Sequence, residues 1–332
     1  MNKKLVIAIV AIVLVAALAI FGLPLYSQLY YHRSQAATVF AWQLDEEAYT
    51  NEAEFQGLLL QKAADNRGPY LIPPEVVFSV DVDMGIHDSG MQYFVLNEQE
   101  NPDKLLFYFA GGSYTDQPRA VHFQFLNALA ENTGAMIVLP VYPKIPGANA
   151  EESYETVLEF YGDYMAEQNC GTLYFMGDSA GGGMALSLAM QLRDAGMVGP
   201  DQLILICPWV DVTMSNPDIA DYEKKDTALD AAQLARLGEL WTGDLSPTDP
   251  VVSPLYGTFE NLGTIHLITS KGELLYPDIM LLSGKLDAAV IDHELVVSPG
   301  MFHVWPLYLM YNIPEVQETC WDIVDMVNNY AE

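Results

Sequence analysis

From residue 75 onward, short apolar runs alternate with longer stretches whose apolar residues recur at helical spacing. The runs are "KLLFYFA" (104–110), "AMIVLPV" (135–141), "TLYFMGD" (172–178), "QLILICP" (202–208), "TIHLITS" (264–270) and "HELVVSP" (293–299). They are rich in β-branched and aromatic residues and nearly free of charge, which suits strands buried on both faces. Helical patterns lie between most of them, at 118–132, 150–168, 180–195, 277–289 and 314–330. Strands alternating with helices predict βαβ units and a mostly parallel sheet flanked by helices, an α/β architecture. Ahead of these runs, "VVFSVDVDM" and "MQYFVL" alternate apolar with polar around the turn "GIHDSG", and predict an antiparallel edge.

Two stretches depart from the rhythm. Residues 36–70 are helical in character and stop at Gly68-Pro69. Between Pro208 and Thr264 lies a polar insertion with one clear helix, "DAAQLARLGELW" (230–241). Loops at the carboxyl ends of parallel strands form the binding crevice of such sheets, so an insertion there reads as a lid.

The first 26 residues follow another logic. Lys3 and Lys4 precede an uncharged, apolar run from Leu5 to Leu25. A spanning helix needs about 20 such residues, whereas a secretory h-region has about 7 to 15. The run is therefore expected to be an uncleaved signal anchor, a single-pass transmembrane helix in the cell membrane that leaves residues from about 30 onward extracytoplasmic. Ala17-Leu18-Ala19 resembles a cleavage site, and secretion after cleavage is the alternative. The chain thus divides into an anchor (1–26), a helical segment (27–74) and an α/β domain (75–332) with a lid at about 209–255.

Charge narrows the partners. The 332 residues carry 44 acids and 14 bases, a net charge of −30. Nucleic-acid binding requires a basic footprint, so this balance argues against it and reads as a solvated, mutually repelling surface. Cys170, Cys207 and Cys320 form no CxxC pair and no zinc-spaced cluster with histidine, so no metal or cofactor is implied. Cys207, ending an apolar run, reads as a small core residue.

The chemistry starts at "FMGDSAGGG" (175–183). Ser179 stands where a strand gives way to a helix, between glycines small enough for a tight, strained turn. That setting raises a serine hydroxyl into the crevice and points the free N–H groups of the helix at developing negative charge. Serine needs a base held by an acid, met in the order Ser, acid, His along such a chain. Of the histidines that follow, His266 lies within a strand pattern and His293 begins one. His303, in "SPGMFHVWP", follows the last strand at its carboxyl end, where a base belongs. For the acid, Glu273 directly follows the strand at 264–270. Asp278 is the second choice, with helix capping as its ordinary role, while Asp287 and Asp292 lie too late in the segment. Gly111 and Gly112, after the strand at 104–110, and Ala180, after the serine, are expected to offer backbone N–H groups as an oxyanion hole. Tyr114, Trp209 and Trp241 either shape an acyl pocket or pack in the core.

These residues resemble the hormone-sensitive-lipase-like branch of the α/β-hydrolase superfamily, a group of bacterial esterases and lipases. "GDSAGG" (177–182) matches the family's elbow at every position, and "AGGS" (110–113) its HGGG segment, with alanine for the histidine and serine for the third glycine. "YPKIPG" (142–147), "CPWVDVT", "DPVVSPLYG" and "PGMFH" (299–303) resemble the family's other signatures, so the likeness runs from about residue 104 to the end. Glu273 stands where the family usually has aspartate. The resemblance implies an α/β-hydrolase fold, a helical cap built from about 30–70 together with 209–255, and a serine carboxylesterase or lipase that acts on a small-molecule ester through an acyl-enzyme. An amidase or peptidase with the same triad, and a catalytically silent binding module on the same fold, are the alternatives.

Overall fold

The computed structural model of the chain describes residues 21–44, 49 and 51–329, together with Lys3, Val6, Ile7 and Ile9. Among the described residues eight strands form one sheet: β1 (Val82–Ile86), β2 (Gln92–Leu96), β3 (Lys104–Phe109), β4 (Met136–Pro140), β5 (Thr172–Asp178), β6 (Gln202–Ile206), β7 (Thr264–Ser270) and β8 (His293–Ser298). Their order is β1-β2-β4-β3-β5-β6-β7-β8. β1 and β2 are antiparallel, β2 pairs antiparallel to β4, and the other pairs are parallel. Among the described residues the α-helices of five residues or more are α1 (Gln35–Ala41), α2 (Glu52–Asp65), α3 (Ala120–Thr133), α4 (Ala150–Ala166), α5 (Ala180–Asp194), α6 (Ile219–Glu223), α7 (Ala231–Thr242), α8 (Tyr276–Ala288) and α9 (Pro314–Asn328).

The period-two alternation of buried strands supplies two cores. Leu105, Phe107, Phe109, Phe175 and Leu203 face α2, α4, α5, α7 and α8, while Leu106, Tyr108, Tyr174, Met176 and Ile204 face α1, α3 and α9. α3 connects β3 to β4 across one face, and α4 and α5 connect onward across the other, as right-handed crossovers require. The chain therefore leaves β3 in one direction along the sheet and β5 in the other. The loops after β3 and β5 flank this reversal, where such sheets open a crevice.

The edge and the N-terminal region differ from expectation. β1 begins at Val82 and takes in Gly85 and Ile86, so the alternating residues 76–81 precede it. Val76, Phe78 and Val80 pack on the core from outside the sheet, and Ser79 N–H donates to Asn127 Oδ1 of α3 at 2.7 Å. The helical stretch 36–70 divides into α1 and α2, with Asn51 capping α2 through Glu54 N–H at 3.1 Å. The two helices join opposite faces of the sheet. The expected transmembrane helix is corrected: among the described residues no helix is long and apolar enough to cross a membrane. Most of the apolar run from Leu5 to Leu25 lies outside the described residues.

At the start of α5 the packing admits nothing larger than glycine. A Cβ at Gly181 would collide with the carbonyl oxygen of Phe109, and one at Gly177 with that of Gly181. Backbone atoms cannot yield as a side chain would, so Gly181→Ala is expected to cost more than about 3 kcal/mol. Urea unfolding of the purified variant checks this.

Candidate active site

Ser179 occupies the turn between β5 and α5 with φ +52° and ψ −124°. A non-glycine residue rarely holds that conformation, and the surroundings enforce it. Ser179 N–H donates to Ile206 O at 2.9 Å, and Ser179 O accepts from Trp209 N–H at 2.9 Å and from Gly183 N–H at 3.1 Å. The ends of β5 and β6 and the first turn of α5 thus clamp the backbone of Ser179.

Glu273 and His303 arrive from neighbouring strand ends. Lys271 N–H donates to Ser298 O at 3.0 Å, and Ser270 Oγ donates to Met301 O at 2.7 Å, which ties the turn after β7 to the loop after β8. Within that joint His303 Nδ1 and Glu273 Oε2 are 2.5 Å apart. Glu273 Oε1 accepts from Thr269 Oγ1 at 2.8 Å and from Ser270 N–H at 3.2 Å. Glu273 is fully buried and His303 is 5% exposed, so a charge-assisted bond between them acts in a low local dielectric. Asp278 sits apart, in the first turn of α8, where its Oδ1 accepts from Asn216 Nδ2 at 2.7 Å. Burial pushes its carboxyl up to about 6, with Asp211 adding to the rise. Of the two candidate acids, Glu273 is the one that meets the histidine.

His266 and His293 have partners elsewhere. His266 bridges Glu294 at 3.0 Å and Gln202 at 2.8 Å, and His293 Nε2 lies 2.8 Å from Ser283 Oγ.

The loop after β3 requires a correction. Gly111 N–H donates to Asp178 Oδ1 at 2.9 Å and therefore points into the core. The same oxygen accepts from Tyr108 Oη at 2.7 Å, and His122 Nε2 lies 3.4 Å away. Burial would raise the Asp178 carboxyl, but His122, the Gly111 N–H and the Tyr108 hydroxyl outweigh it and hold it below the usual range. Gly111 is thus committed to bracing the loop. Gly112, Ser113 and Tyr114 follow with φ of +122°, +52° and +59°, a run of left-handed residues that breaks the strand. Tyr142 Oη donates to Ala110 O at 2.7 Å and Ile145 N–H to Tyr114 O at 3.0 Å, which fix the loop from the β4 side. Tyr114 stacks on Trp241 with ring centroids 3.9 Å apart, and its ring lies 5.5 Å from that of Trp209. All three are buried, so they join the lid to the core.

One residue of the site was not legible as such. Cys207 follows β6 with φ +47° and is fully buried. Its Sγ accepts from Val304 N–H at 3.4 Å. Sγ, a ring nitrogen of His303 and a carboxylate oxygen of Glu273 all lie within 4.8 Å of one another. Burial pushes the thiol well up, the Glu273 carboxylate pushes it further, and the neutral S–H hydrogen-bonds to that carboxylate. Ligand atoms at such spacing could hold a metal ion, but a protonated thiol is a poor ligand and the other two groups are already bonded to each other. Cys207 braces the acid and the histidine loop together. Cys207→Ala is expected to lower kcat about fivefold, the equivalent of one hydrogen bond of about 1 kcal/mol, with KM unchanged. Steady-state kinetics on a soluble ester reads this.

Residues 106–307 match the family model described as the alpha/beta hydrolase fold. An acetyl-hydrolase of Streptomyces hygroscopicus is 29% identical over 207 residues, covering 62% of this chain and 69% of that protein. An esterase of Acinetobacter venetianus is 24% identical over 245 residues, 73% of this chain and 80% of that one. Among solved structures, a candidate esterase from Staphylococcus aureus superposes with a TM-score of 0.79 at 26% identity, covering 86% of this chain and 95% of that one. An esterase of the bacterial hormone-sensitive lipase family gives 0.71 at 20% identity, covering 84% and 99%, a likeness of fold.

Proposed function

The chain belongs to the alpha/beta hydrolase family, and from that premise we propose that it lies in the hormone-sensitive-lipase-like branch and how its residues divide the hydrolysis of a carboxylic ester. On this reading it is a serine-type carboxylic ester hydrolase; the relatives it resembles are named an acetyl-hydrolase and an esterase. Ser179 Oγ attacks the ester carbonyl. His303, held at Nδ1 by Glu273, takes the serine proton on Nε2 and passes it to the leaving alcohol. Glu273 stabilises the imidazolium and fixes its tautomer. Water then attacks the acyl-enzyme by the same proton route in reverse and releases the carboxylic acid. The oxyanion is received by the N–H groups of Gly112 and Ala180, with Ser113 in the place first assigned to Gly111. Each such donor is worth about 2.7 to 4 kcal/mol of transition-state stabilisation.

The observation that carries this reading is the Glu273–His303 bond at the rim where the strained Ser179 turn also opens. We assign the cap to α2 and the 209–255 insertion. Arg236 of α7 pairs with Glu52 of α2 at 2.6 Å and lies 3.7 Å from the Phe55 ring centroid. Residues 31–41 instead brace the histidine loop, where Arg33 Nη1 donates to Gly300 O at 3.2 Å. A matched panel of p-nitrophenyl acetate, butyrate and octanoate against the corresponding anilides tests the proposal. Turnover of the esters with little or none of the anilides is expected. Anilide turnover as fast as ester turnover would overturn the ester assignment.

A further inference from the structure

A second crevice opens on the same rim of the sheet, on the β4 side of the oxyanion loop. Its volume is about 560 Å³, and none of Ser179, Glu273 and His303 lines it. Tyr70, Ile86, Met91 and Val141 give it apolar walls, and Lys144 contributes the charge.

Lys144 is an unusual residue to find there. It is 4% exposed, and its Nζ donates to Tyr142 O at 2.8 Å and to Gln117 Oε1 at 3.4 Å, both neutral acceptors. The Tyr142 ring centroid lies 4.0 Å from Nζ. Asp116, the acid whose charge acts on this amine, is paired with Lys62 at 2.8 Å. Among the described residues Lys144 has no carboxylate in ion-pair contact. Taking an ammonium out of water without a counter-charge is costly, and burial lowers this amine to about 7. A second polar group at the same wall is incompletely satisfied. Asn66 donates Nδ2 to Thr115 O at 2.8 Å, while its buried Oδ1 has no hydrogen-bond partner.

The geometry points to a binding site for a carboxylate with an apolar tail, a short- or medium-chain carboxylic acid whose carboxylate meets the Lys144 ammonium and whose tail lies on the apolar walls. The missing negative charge and the apolar lining select that chemistry jointly; a bare inorganic anion would leave the walls unused. The site is coupled to the reaction centre through the segment that carries Lys144. Tyr142 and Ile145, on either side of Lys144, hold Ala110 and Tyr114 of the oxyanion loop. The ligand belongs to the class of acid that ester hydrolysis releases, so the site is suited to sensing product. Its occupancy needs no turnover and is independent of the triad assignment.

Calorimetric titration of the full chain carrying Ser179→Ala, with sodium hexanoate in one arm and sodium phosphate in the other, tests the site. Hexanoate is expected to bind saturably and phosphate not to bind. The titratable groups around Nζ are Asp116 with its partner Lys62, and the phenols of Tyr142 and Tyr70, which burial pushes up. The ammonium is therefore the group that changes charge near neutrality. Hexanoate affinity is expected to be highest near pH 6 and to fall by roughly tenfold per pH unit above 7. Lys144→Met is expected to abolish binding; should that variant fail to fold, the pH dependence of the Lys144 protein decides. Hexanoate binding that persists in Lys144→Met, that ignores pH, or that phosphate equals, or no saturable binding at all, would overturn the site.

Discussion

Ser179→Ala is expected to reduce kcat on a soluble ester by about 10⁴- to 10⁶-fold, leaving the residual rate that oxyanion donors and binding supply unaided. The size follows from the unit character of the triad. Without Ser179 Oγ, His303 has no proton to take and Glu273 no imidazolium to stabilise, so their positioning contributes nothing further. KM should change little if the ester binds through the cap and the oxyanion loop. Stability should also hold, because the strained φ of +52° at this position is enforced by the Ile206 and Trp209 backbone bonds, which alanine keeps. Kinetics and urea unfolding of the same preparation separate loss of chemistry from loss of fold.

Glu273→Gln and Asp278→Asn are expected to part widely. Glutamine keeps the shape of Glu273 but not its charge, and its N–H₂ can force the wrong tautomer on His303, so kcat should fall by about 10⁴-fold. Asp278→Asn should leave kcat within a few-fold, since that carboxyl meets Asn216 and not the histidine. Its effect belongs to stability. The Asp278 carboxyl titrates at about 6 in the fold, above its ordinary value of 3.8. The fold therefore binds this proton more tightly than the unfolded chain does. The resulting stabilisation is present below the unfolded value and is lost as pH rises through about 6. Asparagine removes that dependence, and at pH 7 the variant should be as stable as the parent or slightly more so. Unfolding at pH 5 and pH 7 for both proteins checks the sign.

Much of this was readable before any coordinates. The strand at 172–178 followed by Ser179 and its glycines could hardly fold otherwise, because local backbone sterics demand small residues there whatever the distant packing. His303 was placed by the rule that loops at strand carboxyl ends meet, and Glu273 by the same rule. Where local pattern competes with tertiary contact, reading stopped short. Residues 76–81 alternate like a strand, yet their apolar side chains are satisfied by lying across α3. Gly111 shares its sequence signal with Gly112, and only the inward turn of the Asp178 side chain decides which N–H is engaged. Cys207 looked like the end of an apolar run. Its left-handed backbone turns it from strand into joint, and the Glu273 and Val304 partners come from chain far beyond it. Lys144 gave no signal of its own, since a lysine between prolines reads as an exposed loop residue. The apolar N-terminus looked long enough to span a bilayer, but no helix among the described residues is long and apolar enough to do so.

Mass spectrometry after brief exposure of the folded chain to a fluorophosphonate tests the central assignment most directly. One adduct, mapped to Ser179 and lost when His303 is replaced by alanine, is the expected result. An unmodified protein, or an adduct on another residue with Ser179 untouched, would contradict the assignment of Ser179 as the nucleophile.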